Sequence, residues 1–491
     1  MKKSEAGLFV IFILMTFILL AFFATVPLRY HSFSDPIIKK YLLLIFFSLA
    51  LSGAALFLNS FSKVFLLAFP ILFQLNRVLI NLSDFMTLPR VLQSAGVGID
   101  IIETIIILLF FVFFNVKKIL YYFEFRAIRN YIFFIIIGLI STLWAFSSSG
   151  ALCFIPNIIV LPCSYYVFSR FFEIDERNIL YIIIGITLTG LFTTVFVWPE
   201  YFGIKWFSSF VASDNPVKQT DAIRAGGLIS RAGIAILLAS IIPFIYNFGI
   251  FYYSKYKVLV NVIGLILLLT LVMTLNRMHF FATCCSLVLI IFYAIKEKVM
   301  KINLSYFFTG VIVFGAGLYY IISKNTATVA DIVYRTTYEG RLRQYEAAFE
   351  NIKYSYGLGI GMNNFLVSPI TLTSLGANSW NLTTGNTVHD DIIRISCEYG
   401  ILGLLFFILS FLFLFMTPAK QKQAKAIVRG GKINIIVLLM IGLSAPAFNN
   451  DTVLTVCGLY MAIIRYYSTA KESKLLNELN EKYSKKFTLK T

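Results

Sequence analysis

The residues that decide the fold are VLVNVIGLILLLTLVMTL (258–275), NRMH (276–279) and FFATCCSLVLIIFYAI (280–295). Both apolar runs lack charge, and at 1.5 Å of rise per residue each comes close to or reaches the length that crosses a bilayer as a helix. A joining turn this short makes the two helices antiparallel neighbours. It also pins Arg277 at the membrane surface, near the depth of a lipid headgroup.

Comparable runs occur at 8–26, 41–58, 64–82, 99–116, 131–146, 151–168, 179–197, 233–250, 306–322, 401–416, 433–448 and 452–467. With the opening pair they predict about fourteen spans. Composition agrees: of 491 residues, 59% are hydrophobic and 13% charged, and the mean hydropathy is +0.82. A water-soluble core could not absorb that apolar load. The first run follows Met1-Lys2-Lys3, is long for a signal-peptide core and has no clear small-x-small cleavage site before Pro27, so it reads as the first helix. The expected fold is an all-α polytopic membrane protein with a large periplasmic loop carrying amphipathic helices.

With the N-terminus inside and the spans alternating, the cytoplasmic segments collect Lys117, Lys118, Arg126 and Arg129, then Lys296, Lys298 and Lys301. The segment from Lys420 to Lys432 and the basic tail join them, as the positive-inside rule requires. Most of the outer charge sits in two long segments, 198–231 and 324–400. The expected organisation is an N-terminal bundle (1–197), a periplasmic loop (198–232), further spans (233–323), a large periplasmic loop (324–400), C-terminal spans (401–467) and a cytoplasmic tail (468–491). Within the tail, 471–486 alternates Leu with Lys and Glu and reads either as a helix on anionic headgroups or as a solvated tail.

The net charge of +18 is scattered in short clusters between spans and forms no basic face, which argues against nucleic acid. The six cysteines lie in or beside apolar runs without metal-ligand or disulfide-scaffold spacing. No internal repeat or second soluble domain is present. A flippase or transporter would share the hydropathy, but it should show inverted halves and charges at mid-membrane. Only Arg77 and the Asp100 and Glu103 pair approach that pattern.

Candidate chemistry falls in the outer segments. Arg224-Ala225-Gly226-Gly227-Leu228-Ile229-Ser230-Arg231 precedes a span; glycines admit a ligand to the backbone and Arg presents a planar fork suited to phosphate oxygens. A flexible interfacial loop with snorkelling arginines is the bland alternative. Arg277 is either a headgroup-level ligand or an interfacial anchor. Residues 338–352 have helical periodicity, with Leu342, Tyr345, Phe349 and Ile352 on one stripe and Arg341 at the N-terminal end, where the helix dipole favours an anion. Gly357-Leu358-Gly359-Ile360-Gly361 lacks the strand and the Lys-Ser/Thr of a phosphate loop, so tight backbone packing is its better reading. His389 stands at the expected start of an outward-facing helix, where the dipole favours neutral imidazole; a structural histidine is the commoner outcome for such a residue.

In content and order these pieces resemble the bacterial O-antigen ligase and polymerase superfamily, the Wzy-type polymerases and WaaL-type ligases. The resembling elements are Arg224 to Gly227, Arg277 at a tight outer turn, Gly340-Arg341-Leu342, the Gly357 to Gly361 motif, and His389-Asp390 followed by Gly400 and Gly403. The likeness covers roughly 224–403. It departs at Arg231-Ala232-Gly233, where the family often has Asn-Pro-Asn, and at Asp390, where Asn or Ser is usual.

The resemblance implies a glycosyltransferase of the bacterial inner membrane acting at its periplasmic face on undecaprenyl-diphosphate-linked oligosaccharide by inverting, metal-independent transfer without a cofactor. It assigns donor diphosphate to Arg224, Arg231, Arg277 and Arg341, with Gly227 and Asp390 also contacting substrate, and gives His389 the role of base. The polymerase reading is preferred over a ligase moving glycan onto lipid A core or protein, because ligases are expected to have nearer twelve spans. A chain-length regulator protein is a further expected partner.

Overall fold

The structure, a computed structural model, describes residues 62–70, 107–108, 111, 114, 119–202, 231–251, 257–274, 276–297, 330–375, 388–421 and 424–469. Expected spans 8–26, 41–58 and 306–322, most of 64–82 and 99–116, the residues Arg224 and Gly227, and the basic tail lie outside them. Among the described residues the regular elements are helical, with no strand.

In chain order the α-helices after residue 118 are α1 (Ile119–Phe123), α2 (Arg126–Ser141), α3 (Ser148–Cys153), α4 (Ile155–Ile174), α5 (Asn178–Tyr201), α6 (Arg231–Phe251) and α7 (Lys257–Met273). They continue as α8 (Arg277–Lys296), α9 (Ala330–Tyr354), α10 (Pro369–Leu375), α11 (Asp391–Glu398), α12 (Gly400–Met416), α13 (Lys425–Gly442) and α14 (Asp451–Thr469). Among the described residues five stretches are long and apolar enough to cross a membrane, namely Arg126–Trp144, Ser148–Ile174, Asn178–Pro199, Ile234–Phe251 and Met278–Lys296; Val258–Met273 and Gly400–Met416 are shorter apolar helices. Hydrocarbon offers no hydrogen-bond partner to the backbone, so apolar runs of this length close their bonds within helices.

Packing runs α4 against α14, α2 against α12, and α6 against α7, α8 and α13. The α4–α14 contact is close: a Cβ on Gly458 would lie 2.1 Å from Ser164 Oγ and 2.7 Å from the Leu161 carbonyl oxygen. Small residues at such crossings let membrane helices gain contact where apolar burial alone supplies no driving force. Polar clamps assist elsewhere, as where Trp198 Nε1 donates to Thr270 Oγ1 at 2.9 Å between α5 and α7.

Two contacts fix which helix ends share a face. Glu297, after α8, pairs with Arg429 near the start of α13 at 2.5 Å, while Gly442 at the far end of α13 abuts Asp391 of α11. The start of α8, Arg277, therefore lies at the same end of the bundle as α11. Arg231 at the start of α6 lies there too, because Asn247 near the other end of α6 donates to the Ala426 carbonyl at 3.1 Å. Arg126, Arg170, Arg429, Lys432 and Arg465 gather at the opposite, basic end.

Three expectations are corrected. The loop helix covers Ala330–Tyr354 instead of 338–352, so Arg341 is mid-helix and no dipole argument applies to it. The expected stripe is split: Tyr345 and Ile352 pack against the cluster that holds Ala347 and Ala348, whereas Leu342 and Phe349 are 44% and 52% exposed and the polar Gln344 and Asn351 are buried. The last-but-one helix begins at Lys425, ahead of the apolar run at 433, and ends at Gly442. Its early start is stabilised from outside: Arg429 stacks over Phe251 and Tyr293, and Lys432 Nζ donates to the Phe415 and Thr417 carbonyls at 2.8 and 2.6 Å, closing the end of α12.

Candidate active site

At the loop end, α11 begins where Asp390 caps it: Asp390 Oδ1 accepts from the Ile392 and Ile393 amides at 2.8 and 3.0 Å. Asp is a strong N-cap because its carboxylate satisfies amides that the first turn cannot pair. His389 immediately precedes this cap.

Eight residues of helix are not stable alone, and α11 is held by a buried charge network. Arg394 donates to Asp391 Oδ1 from Nη2 at 2.9 Å and Nε at 3.1 Å, and from Nη1 to Glu398 Oε2 at 3.4 Å. The other carboxylate oxygens accept from the Phe448 amide at 3.0 Å and the Phe365 amide at 3.3 Å. All three side chains are buried. Burial pushes both carboxyls above the ordinary range against the pull of Arg394. This network ties α11 to the Ala447–Asn449 turn on one side and the 363–365 loop on the other. The sequence reading passed over it, although Asp391, Arg394 and Glu398 stand at the three- and four-residue spacing that shares a helix face.

The glycine motif is structural. Gly359 has φ +87, and a Cβ there would meet the Gly400 amide nitrogen at 2.5 Å and the Glu398 carbonyl oxygen at 2.6 Å. Gly400, at φ +75, starts α12 from the same contact. The amides are already used: Gly357 donates to the Ile352 carbonyl, Ile360 to Cys397 and Gly361 to Glu398, at 2.9 to 3.1 Å. Trp144 Nε1 donates to the Gly359 carbonyl at 2.8 Å, joining this loop to the turn after α2. With those groups spent, the motif does not cradle phosphate; it locks the loop to the junction of α11 and α12.

Arg341 and Tyr345, one turn apart on α9, face His389 and Asp390. His389 is half-buried, and burial first, then the Arg341 charge, pushes its pKa down to about 4. Burial and the Asp390 carboxylate raise the half-buried Tyr345 phenol, against the opposing effect of Arg341. Arg341 Nε and Gln344 Oε1 are sealed from solvent without a hydrogen-bond partner among the described residues. The neutral imidazole expected from a helix dipole is present, but burial and Arg341 are its causes.

Of the residues singled out in the sequence, the structure brings Arg341, His389 and Asp390 together. Arg231 and Arg277 are the first residues of α6 and α8 at the same end of the bundle, and Arg224 and Gly227 lie outside the described residues. Fold and hydropathy together define an all-α, multi-pass membrane protein with a polar site built at one end of its helices.

Residues 262–408 match the family model described as O-antigen ligase, a segment that is less than a third of the chain. It holds Arg277, Arg341, the glycine motif, His389 and Asp390, and stops short of 224–231. The match supports the O-antigen ligase and polymerase superfamily, whose members are glycosyltransferase-like enzymes acting on lipid-linked glycans. No curated protein matches the chain.

Proposed function

We propose that this protein is a polysaccharide polymerase of the O-antigen or capsule type. It joins undecaprenyl-diphosphate-linked oligosaccharide repeat units at the periplasmic face of a bacterial inner membrane. The observation that carries the reading is a half-buried His389 in the field of Arg341, its pKa pushed down so that the imidazole is neutral. The basic end opposite the site is the cytoplasmic end by the positive-inside rule, which leaves the site facing outward.

In the proposed reaction an acceptor hydroxyl oxygen attacks the anomeric carbon of the donor sugar and the carbon–oxygen bond to diphosphate breaks with inversion. The bonding electrons leave on the diphosphate, whose charge Arg224, Arg231, Arg277 and Arg341 stabilise, with Gly227 giving backbone access. The hydroxyl proton passes to His389. A bound diphosphate also compensates the Arg341 charge, which raises the basicity of His389 when the donor is in place. Asp390, whose Oδ1 caps α11, offers its second oxygen to a sugar hydroxyl.

A ligase reading is favoured by the description of the matched family, and the polymerase reading by the expected number of spans. A deletion strain separates them. Loss of long chains with a single repeat unit still attached to its acceptor means polymerase, and loss of every attached unit means ligase. Transfer is expected to survive chelators; activity abolished by EDTA and restored by magnesium contradicts the arginine-based mechanism.

A further inference from the structure

The turn between α9 and the glycine motif exposes apolar side chains that no packing requirement explains. Tyr356 is 92% exposed and Leu358 65%. Tyr356 also takes φ +51, a left-handed backbone conformation that is strained for a bulky residue. On a purely aqueous loop, Gly, Asn or Ser would fill these positions at lower cost.

What stands beside the turn identifies its surroundings. The Ile401 amide donates to the Gly357 carbonyl at 2.9 Å, and a Cβ on Gly357 would meet Ile401 Cδ1 at 2.9 Å. Ile401 is itself 62% exposed and opens the outward apolar face of α12, which continues through Leu405. On the other flank Tyr354 stacks on Phe146, ring centroids 6.0 Å apart, just beyond the end of the α2 span. The exposed turn is thus continuous with the lipid-facing surface of two membrane helices, at the level where aromatic side chains favour the bilayer interface.

We propose that residues 354–358 form a membrane anchor, with Tyr356 and Leu358 inserted among the acyl chains and headgroups of the lipid leaflet at the loop end of the bundle. The occupant of this surface is bulk bilayer lipid. The turn is hydrogen-bonded through Gly357 to the start of α12 and through the following residues to α11, so its insertion fixes the height of His389 above the hydrocarbon. The inference depends on the fold alone and is independent of the proposed reaction.

The test is site-directed spin labelling of the full chain in nanodiscs of phosphatidylcholine and phosphatidylglycerol, with the signal of the unsubstituted protein subtracted. Labels are placed at Tyr356→Cys and Leu358→Cys, with Leu405→Cys as the lipid reference and Glu346→Cys as the aqueous one. Because Tyr356 and Leu358 are mostly exposed, replacing them removes little packing, and elution as a monodisperse species verifies folding. Both turn labels are expected to collide more often with oxygen than with an aqueous nickel chelate, as at Leu405, and opposite to Glu346. An aqueous pattern at both positions overturns the anchor. Low collision with both reagents also overturns it, by showing a protein contact.

Discussion

Arg341 on α9 and His389 at the threshold of α11 are separated by a long stretch of chain, yet the guanidinium charge of the first helps hold the imidazole of the second neutral. In the proposed reaction this pairing supplies both a cation for the leaving group and a proton acceptor for the nucleophile.

The pairing has a direct spectroscopic consequence. Imidazole NMR of the donor-free protein should show His389 titrating near pH 4, well below the ordinary value of about 6.5. In Arg341→Gln the value rises but stays under 6.5, because burial is the larger cause and persists. Inorganic diphosphate should raise it in the parent protein. An unshifted histidine contradicts the packing of α9 on α11.

Stability carries the same signature. The unfolded imidazole takes its proton at about pH 6.5 and the folded one at about 4, so between those values the unfolded state binds more protons. The His389 contribution is fully present above pH 6.5 and is lost as pH falls towards 4. His389→Gln should flatten that part of the profile of thermal midpoint against pH. Any slope from Asp391 and Glu398, whose carboxyls are raised, is common to both proteins and cancels in the comparison.

Removing Arg394 leaves two carboxylates buried without their cation. Arg394→Met should cost about 3–5 kcal/mol, measured by chemical or thermal unfolding in detergent. The triple variant Asp391→Asn, Arg394→Met, Glu398→Gln should recover part of that loss. A single variant as stable as the parent shows that the network does not hold α11.

Arg341 is expected to act as a fork and not as a point charge. Arg341→Ala should lower turnover about 100- to 1,000-fold, and Arg341→Lys should restore little of it, since an ammonium loses the paired geometry. Full rescue by Lys, read as turnover of lipid-linked donor, contradicts bidentate binding.

The apolar runs make the described part of the bundle legible, since length and absence of charge specify a spanning helix almost regardless of neighbours. The start of α13 was not legible in that way. Arg429 and Lys432 look like loop residues until Glu297, the rings of Phe251 and Tyr293, and the carbonyls of Phe415 and Thr417 are placed beside them. The packed face of α9 is legible only in part for a related reason. Tyr345 and Ile352 of the apolar stripe do pack, but the buried side also carries Gln344 and Asn351, and the latter is satisfied by Thr371 at 2.9 Å, which hydrophobicity does not mark. At the site, the helix start expected at His389 lies one residue before the Asp390 cap of α11, because the signals that begin a helix are local. The approach of Arg341 to His389 depends on how α9 folds back, and no local pattern encodes it.

The central claim is that His389 is the general base, and turnover of purified His389→Ala with lipid-linked donor, measured beside thermal stability, tests it most directly. The variant should fold with a stability close to the parent, bind donor, and turn over about a hundred- to ten-thousand-fold more slowly. Near-normal turnover in a stably folded His389→Ala protein would contradict the assignment.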